Sequence, residues 1–196
     1  MIKRAMILAA GFGKRIHPLT FSCPKPLLKI GEETLLSNTI KFLETCGIKE
    51  IIINTHYLSE QIVNYINKNQ FNSNIKIIKE KKILDTGGGI LNALKFFSDD
   101  PFLTINPDTI WNNKHFLDLK MMQKIFFKNK KNKCTLLLVD KKKSFDKTIT
   151  GDFNLKKKLI FRDRKNKNNY IYTGLQIIRP QVFKNLNKNF FSINLV

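Results

Sequence analysis

The 196-residue sequence is poor in residues that staple or metallate small proteins: it has three cysteines, Cys23, Cys46 and Cys134, far apart and odd in number. That excludes a disulfide framework and a zinc site of paired-cysteine spacing, and fits reduced thiols. Arginine is scarce too. Only Arg4, Arg15, Arg162, Arg164 and Arg179 are arginine among 35 basic residues, although the formal net charge is +20. Nucleic-acid surfaces favour arginine for bidentate contacts and interleave aromatics for stacking, whereas here lysine is mixed with asparagine and isoleucine along the whole chain. The charge therefore reads as a solvated surface whose field would steer small anions, and no nucleic-acid partner is expected. No apolar run approaches the length of a membrane span. Residues 1–10 imitate a short secretory signal, but charge returns at Lys14 and Arg15 where a signal would stay apolar, so no membrane partner is expected and the expected compartment is the cytoplasm.

With 42% hydrophobic and 26% charged residues, the chain is expected to bury one core and form one domain over residues 1–196. Residues 4–9 make an apolar run of strand length that stops at glycine, as a central parallel strand buried on both faces does. Helical spacing over residues 34–46 follows, closed by Gly47 as a C′ glycine. A strand at 50–54, a helix from Ser59 to Ile66 and a strand at 75–78 come next. Thr86-Gly87-Gly88-Gly89 reads as a loop, with a helix over 90–97 and a strand over 102–105 ending at Asn106-Pro107-Asp108. Further on, a helix at 117–127, a strand at 135–139, a hairpin at 152–161, a strand at 171–178 and a short helix from Pro180 to Leu186 are expected. Strand and helix alternating in this order predict right-handed crossovers and a doubly wound α/β sheet.

In such sheets ligands collect beyond the carboxyl ends of the strands. Ala9-Ala10-Gly11-Phe12-Gly13-Lys14-Arg15 follows the first strand, with glycines that let a ligand approach backbone N–H groups and two cations directly behind, a pattern suited to phosphate. It matches neither the P-loop nor the dinucleotide fingerprint, and taken alone it is equally a glycine turn between strand and helix. Pro18-Leu19-Thr20 and Pro24-Lys25-Pro26-Leu27 follow. Two prolines around Lys25 predict an extended segment presenting one ammonium in one direction; a surface lysine in a proline turn is the plainer alternative. Asp108 follows Pro107 at a strand end, where a helix N-cap or turn aspartate is the plain reading. His17, His56 and His115 are assigned no catalytic role.

Together, residues 8–20, the Pro24-Lys25-Pro26-Leu27 run, Gly31, Thr86-Gly87-Gly88-Gly89-Ile90, Asn106-Pro107-Asp108, Gly151-Asp152 and Tyr172-Thr173-Gly174 closely resemble the sugar-phosphate nucleotidyltransferases, and within them the N-acetylmuramate-1-phosphate uridylyltransferases and mannose-1-phosphate guanylyltransferase-like proteins. The resemblance implies a Rossmann-like, doubly wound, mixed but mostly parallel sheet in three layers, the nucleotide-diphospho-sugar transferase fold. It also implies transfer of a nucleotidyl group from a nucleoside triphosphate, UTP favoured, to a sugar 1-phosphate, N-acetylmuramate 1-phosphate favoured, with Mg²⁺ and release of pyrophosphate. By the same resemblance Ala10, Gly11, Gly13, Lys14, Arg15, Lys25, Gly87, Gly88 and Asn106 would bind the nucleotide, Gly87 and Gly88 offering backbone groups to the base. Arg15, Lys25 and Asp108 would be catalytic, Asp108 holding the metal. Asp140, Gly151, Thr173 and Gly174 would line the sugar pocket, and the protein would be a monomer or weak dimer.

Pro107 stands where the family usually has glycine, and the family's second metal-binding aspartate, in a late Asp-Val-Gly segment, is not found before the sequence closes on Ser192-Ile193-Asn194-Leu195-Val196. The expectation from that difference is triphosphate binding with weak or absent turnover. Guanylyl transfer to mannose 1-phosphate, and a catalytically silent nucleotide-sugar-binding protein, stay open as alternatives.

Overall fold

The computed structural model describes residues 1–157, 159–163, 165, 167–184, 186 and 190–193; the final Asn194, Leu195 and Val196 lie outside them. Ten strands and four α-helices follow in chain order: β1 (Arg4–Leu8), β2 (Lys29–Ile30), β3 (Glu33–Thr34), α1 (Leu35–Thr45), β4 (Glu50–Thr55), α2 (Ser59–Lys68), β5 (Asn74–Lys79), α3 (Asp85–Ala93), β6 (Phe102–Ile105), α4 (Lys114–Lys128), β7 (Cys134–Asp140), β8 (Asn154–Lys156), β9 (Leu159–Phe161) and β10 (Tyr170–Ile178).

Six strands form one sheet in the order β5-β4-β1-β6-β10-β7. β1 pairs in parallel with β4 and β6, and β4 with β5. β10 runs antiparallel to both β6 and β7, so five of the six strands point the same way. The mixed, mostly parallel, doubly wound sheet is therefore present. Alternate residues of β1 feed different layers: Ala5 and Ile7 join Leu36, Ile40, Ile62, Leu119 and Phe126 on the face covered by α1, α2 and α4. Met6 joins Ile90, Ala93, Phe97 and Phe183 on the face covered by α3. This two-sided burial is why β1 is continuously apolar rather than alternating.

Several boundaries follow directly from local chemistry. Thr34 caps α1, its Oγ1 accepting the Ser37 N–H at 3.0 Å, and Gly47 takes the left-handed conformation past its end at φ 80°, as a C′ glycine does. Three expectations are corrected. The glycine triplet is not a loop: α3 begins at Asp85 and contains Gly87, Gly88 and Gly89, all buried. Close packing, described below, outweighs glycine's poor helix propensity. The segment around Lys25 is a 3-10 turn over Lys25–Leu27 rather than extended; Pro26 sits in its first turn, where a missing N–H costs nothing. The helix expected from Pro180 shrinks to a 3-10 turn, Pro180–Phe183.

Candidate active site

The carboxyl ends of β1, β4, β5 and β6 open into a cavity of about 450 Å³ lined by residues 8–16, Lys25, Pro26, Asn54, Ile83, Asp85, Thr86, Asn106, Pro107 and Asp108. Its floor is the turn after β1. Gly13 occupies the left-handed region at φ 68°, and a Cβ there would stand 2.9 Å from Thr20 Cγ2. Thr20 is fully buried; its hydroxyl donates to the Gly13 carbonyl at 3.0 Å, and its own carbonyl accepts from the Tyr57 hydroxyl at 2.9 Å. The Pro18-Leu19-Thr20 run is thus a brace that holds the turn open. Gly11 is exposed, and a Cβ there would meet nothing within 4 Å. Lys14 and Arg15 are exposed at the cavity, with the Lys14 ammonium 5.3 Å from the centroid of Phe12.

One wall carries charge. Lys25 and Asp108, 83 residues apart, form an ion pair through Nζ and Oδ2, with side chains 28% and 32% accessible. At that exposure the pair contributes about 0–1 kcal/mol, so either member can change partner at small cost when a ligand enters. Asn106 is placed behind them by its N–H, which donates to the Gly174 carbonyl at 2.9 Å. Gly174 has φ 86°, and a Cβ there would lie 2.8 Å from Asn106 Cβ; only glycine admits this approach. The register of β10 on β7 is irregular between Tyr172 and Gln176, and Asp152 Oδ2 accepts the Tyr172 N–H at 2.8 Å beside that irregularity.

The opposite wall is built on a buried polar relay. Asn54 Oδ1 accepts the Ala9 N–H at 3.1 Å and its Nδ2 donates to Glu80 Oε1 at 2.7 Å. Glu80 Oε2 accepts the Leu84 N–H at 3.1 Å. Asn54 and Glu80 are 3% and 4% exposed, so the relay ties the turn after β1 to the turn after β5 with its polar atoms satisfied. A Cβ on Gly89 would fall 2.7 Å from Asn54 Nδ2 and 2.9 Å from Glu80 Oε1, which explains a glycine inside this helix. From the other side the Phe191 carbonyl accepts the N–H groups of Gly87 at 2.9 Å and Gly88 at 3.1 Å.

The structure thus gathers Ala10, Gly11, Gly13, Lys14, Arg15, Lys25, Asn106 and Asp108 around one cavity. Gly87 and Gly88 are not among its lining residues, and their amides are spent on Phe191 rather than open to a base; Ile83, Asp85 and Thr86 line that side instead. The residues expected at a sugar divide. Thr173 and Gly174 adjoin the cavity wall, where Thr109 Oγ1 donates to the Thr173 carbonyl at 2.9 Å. Asp140 and Gly151 do not line it: Asp140 Oδ1 accepts the Lys142 N–H at 2.9 Å, and a Cβ on Gly151 would be 2.3 Å from the Asn168 carbonyl oxygen. Both serve the local backbone. Asn54 and Glu80 were missed because nothing in a strand end followed by a lysine-rich turn announces a buried pair; the one available signal was a polar residue closing an otherwise apolar strand.

The histidines hold structural contacts. His17 Nδ1 lies 2.9 Å from Thr20 Oγ1, His56 Nδ1 donates to the Glu80 carbonyl at 2.9 Å, and His115 Nδ1 accepts the Asn112 N–H at 3.1 Å. Burial pushes the Cys46 thiol up to about 11 and the Cys134 thiol up to about 12, which removes both as nucleophiles near neutral pH. Among the described residues no three His, Cys, Asp or Glu side chains form a metal-binding group, and no helix is long and apolar enough to cross a membrane.

The family model of the nucleotidyl transferases matches residues 4–147. The N-acetylmuramate alpha-1-phosphate uridylyltransferase of Caulobacter vibrioides is 26% identical over 92% of this chain and 76% of its own length. A probable mannose-1-phosphate guanylyltransferase of Oryza sativa is 27% identical over 91% of this chain, which spans 50% of that protein. The crystal structure of HddC from Yersinia pseudotuberculosis complexed with GMP-PN superposes with a TM-score of 0.76 at 24% identity, over 99% of this chain and 84% of that one, a likeness of fold. The chain belongs to the nucleotidyl transferase family, among the sugar-phosphate nucleotidyltransferases.

Proposed function

We propose that the protein joins a nucleoside triphosphate to a sugar 1-phosphate and releases pyrophosphate, with UTP and N-acetylmuramate 1-phosphate as the favoured pair. The observation that carries this reading is the meeting of the open turn at residues 11–15 with Lys25 and Asp108 in one cavity. Backbone N–H groups and exposed cations at that turn suit the triphosphate, with Arg15 set to neutralise the departing pyrophosphate.

An oxygen of the sugar phosphate attacks the α-phosphorus in line; the new P–O bond forms as the bond to the β-phosphate oxygen breaks, and the electron pair leaves with pyrophosphate. The attacking oxygen is already anionic, so no general base is needed and the work is positioning and charge neutralisation. Lys25, freed from Asp108, would bridge the α-phosphoryl group and the sugar phosphate. The donor set fits Mg²⁺ in the manner usual for phosphate substrates, one carboxylate from Asp108 with the remaining positions filled by phosphate and water; bound there, the ion would offset charge on the phosphates.

Pyrophosphate release measured for UTP and GTP against N-acetylmuramate 1-phosphate and mannose 1-phosphate tests the proposal. UTP with N-acetylmuramate 1-phosphate should turn over fastest, and Lys25→Ala and Asp108→Ala should each lower the rate by about 100-fold or more. Preference for GTP with mannose 1-phosphate would favour the guanylyltransferase reading, which the likeness to the Oryza sativa protein supports. Triphosphate binding without release from any pair would overturn catalysis and leave a binding protein.

A further inference from the structure

Lys25 stands at the cavity wall, yet the loop that leads to it has little packing of its own. Leu19 and Phe21 are each 64% exposed, and over residues 19–22 only Thr20 is buried. Such a loop is held through its main chain, and here three successive carbonyls are taken up by side chains from the start of α2. The Tyr57 hydroxyl shares its proton between the Thr20 carbonyl at 2.9 Å and the Phe21 carbonyl at 3.0 Å, and Gln61 Nε2 donates to the Ser22 carbonyl at 2.9 Å.

The turn between β4 and α2 carries strain between these two donors. Leu58 has φ 49°, one of four non-glycine residues with positive φ among the described residues, a conformation that leucine keeps only where its surroundings impose it. Thr55 Oγ1 and Ser59 Oγ lie 2.8 Å apart across that turn, and the Gln61 N–H donates to the Leu58 carbonyl at 3.0 Å. The Tyr57 ring also packs on Phe12, their centroids 5.5 Å apart, so one side chain touches both the turn after β1 and the loop before Lys25. Tyr57 itself does not line the cavity. Beyond Ser22 only Cys23 and Pro24 precede Lys25; Pro24, at φ −66° and ψ 140°, is rigid in φ, and its carbonyl accepts the Leu27 N–H at 2.8 Å.

We infer that Tyr57, assisted by Gln61, is a positioning residue that sets where the Lys25 ammonium meets the phosphates. This rests on the function proposed above and extends it to a residue outside the cavity. A group that neutralises charge in such a transfer must be placed closely, and a displacement of about 1 Å can cost about 100-fold in rate. Without the Tyr57 hydroxyl the main chain of residues 20–22 is less firmly held and Lys25 shifts. The turn at residues 11–15 keeps its own tie, from the Thr20 hydroxyl to the Gly13 carbonyl. The defect therefore falls on the chemical step more than on the hold on the triphosphate.

Pyrophosphate release at saturating substrates, with titration calorimetry of the same triphosphate and Mg²⁺, tests this in the unmodified protein, Tyr57→Phe, Lys25→Ala and the double variant. The substrates are UTP with N-acetylmuramate 1-phosphate, or GTP with mannose 1-phosphate where that pair turns over faster. Tyr57→Phe keeps the ring on Phe12 and removes only the hydroxyl. It should lower kcat about 10-fold while triphosphate affinity changes by less than about threefold. In the Lys25→Ala background the same change should lower kcat by less than about twofold, because a residue that acts through Lys25 has nothing left to position. Gln61→Met should show the same pattern with a smaller fall. An unchanged kcat in Tyr57→Phe, an equal fall in both backgrounds, or triphosphate affinity falling in step with kcat would overturn the role given to Tyr57. No turnover by the unmodified protein with either pair would instead overturn the proposed function, and this inference with it.

Discussion

Two glycine-rich segments, the turn after β1 and the first turns of α3, lie beside the cavity, and they use glycine for opposite reasons. In the turn after β1, Gly11 faces open space, and the absent side chain leaves room for a ligand. In α3, a Cβ on Gly87 would stand 2.3 Å from Cε2 of the Phe191 ring and one on Gly89 would meet the Asn54–Glu80 pair. There the missing side chain is filled by the protein itself. The turn after β1 keeps open space beside Gly11, whereas the helix is packed shut around its glycines, with Asp85 and Thr86 at the cavity wall.

The contrast can be broken most severely at the relay. Glu80→Ala should destabilise the protein by about 2–4 kcal/mol in urea unfolding, because the Asn54 amide and the Leu84 N–H lose their acceptor in a buried site; a change near zero would mean water replaces the carboxylate freely. Gly87→Ala should cost about 1–3 kcal/mol through overpacking against Phe191. In the double variant with Phe191→Ala the losses should be less than additive, and full additivity would show that the ring is not what excludes a side chain there.

A smaller effect is expected from alkali. Cys134 has a folded pKa raised from 9.0 to about 12 by burial. Its contribution is complete below pH 9, where the thiol is protonated whether folded or not, and is lost as pH rises toward 12, because only the unfolded state releases its proton in that interval. Cys134→Ala should therefore make stability fall less steeply between pH 9 and 11, read from unfolding midpoints at each pH. The smallest change in stability should come from Gly11→Ala, within about 0.5 kcal/mol, yet the same variant should weaken triphosphate binding measurably by calorimetry. If stability fell and binding did not, the role assigned to the turn after β1 would be wrong.

Where the sequence is read successfully, a strong local preference agrees with its surroundings. The apolar run of β1, the capping Thr34 and the closing Gly47 each specify their element before any tertiary contact is known, and the order of strands and helices carries the sheet with it. The residues of the cavity were legible when they lay just past a strand, as with residues 9–15 and 106–108. Legibility failed where a role depended on a distant partner. Phe191 decides what Gly87 and Gly88 do, Asn168 decides what Gly151 does, and neither is near its glycine in the chain. Pattern alone also read the glycine triplet as a loop, because propensity counts against glycine in a helix and says nothing of a phenylalanine ring waiting to occupy the gap.

The stitch between Ile193 and Thr86 joins positions 107 residues apart. Contacts of such long range close late in folding, since the intervening chain must first surrender its freedom. The parallel core of β1, β4 and β5 can assemble from neighbours in the chain, but the wall that carries Asp85 is finished only when this remote segment arrives. With nucleotide binding as proposed, a fluorescent nucleotide added during refolding should report the arrival of that segment rather than the formation of the sheet.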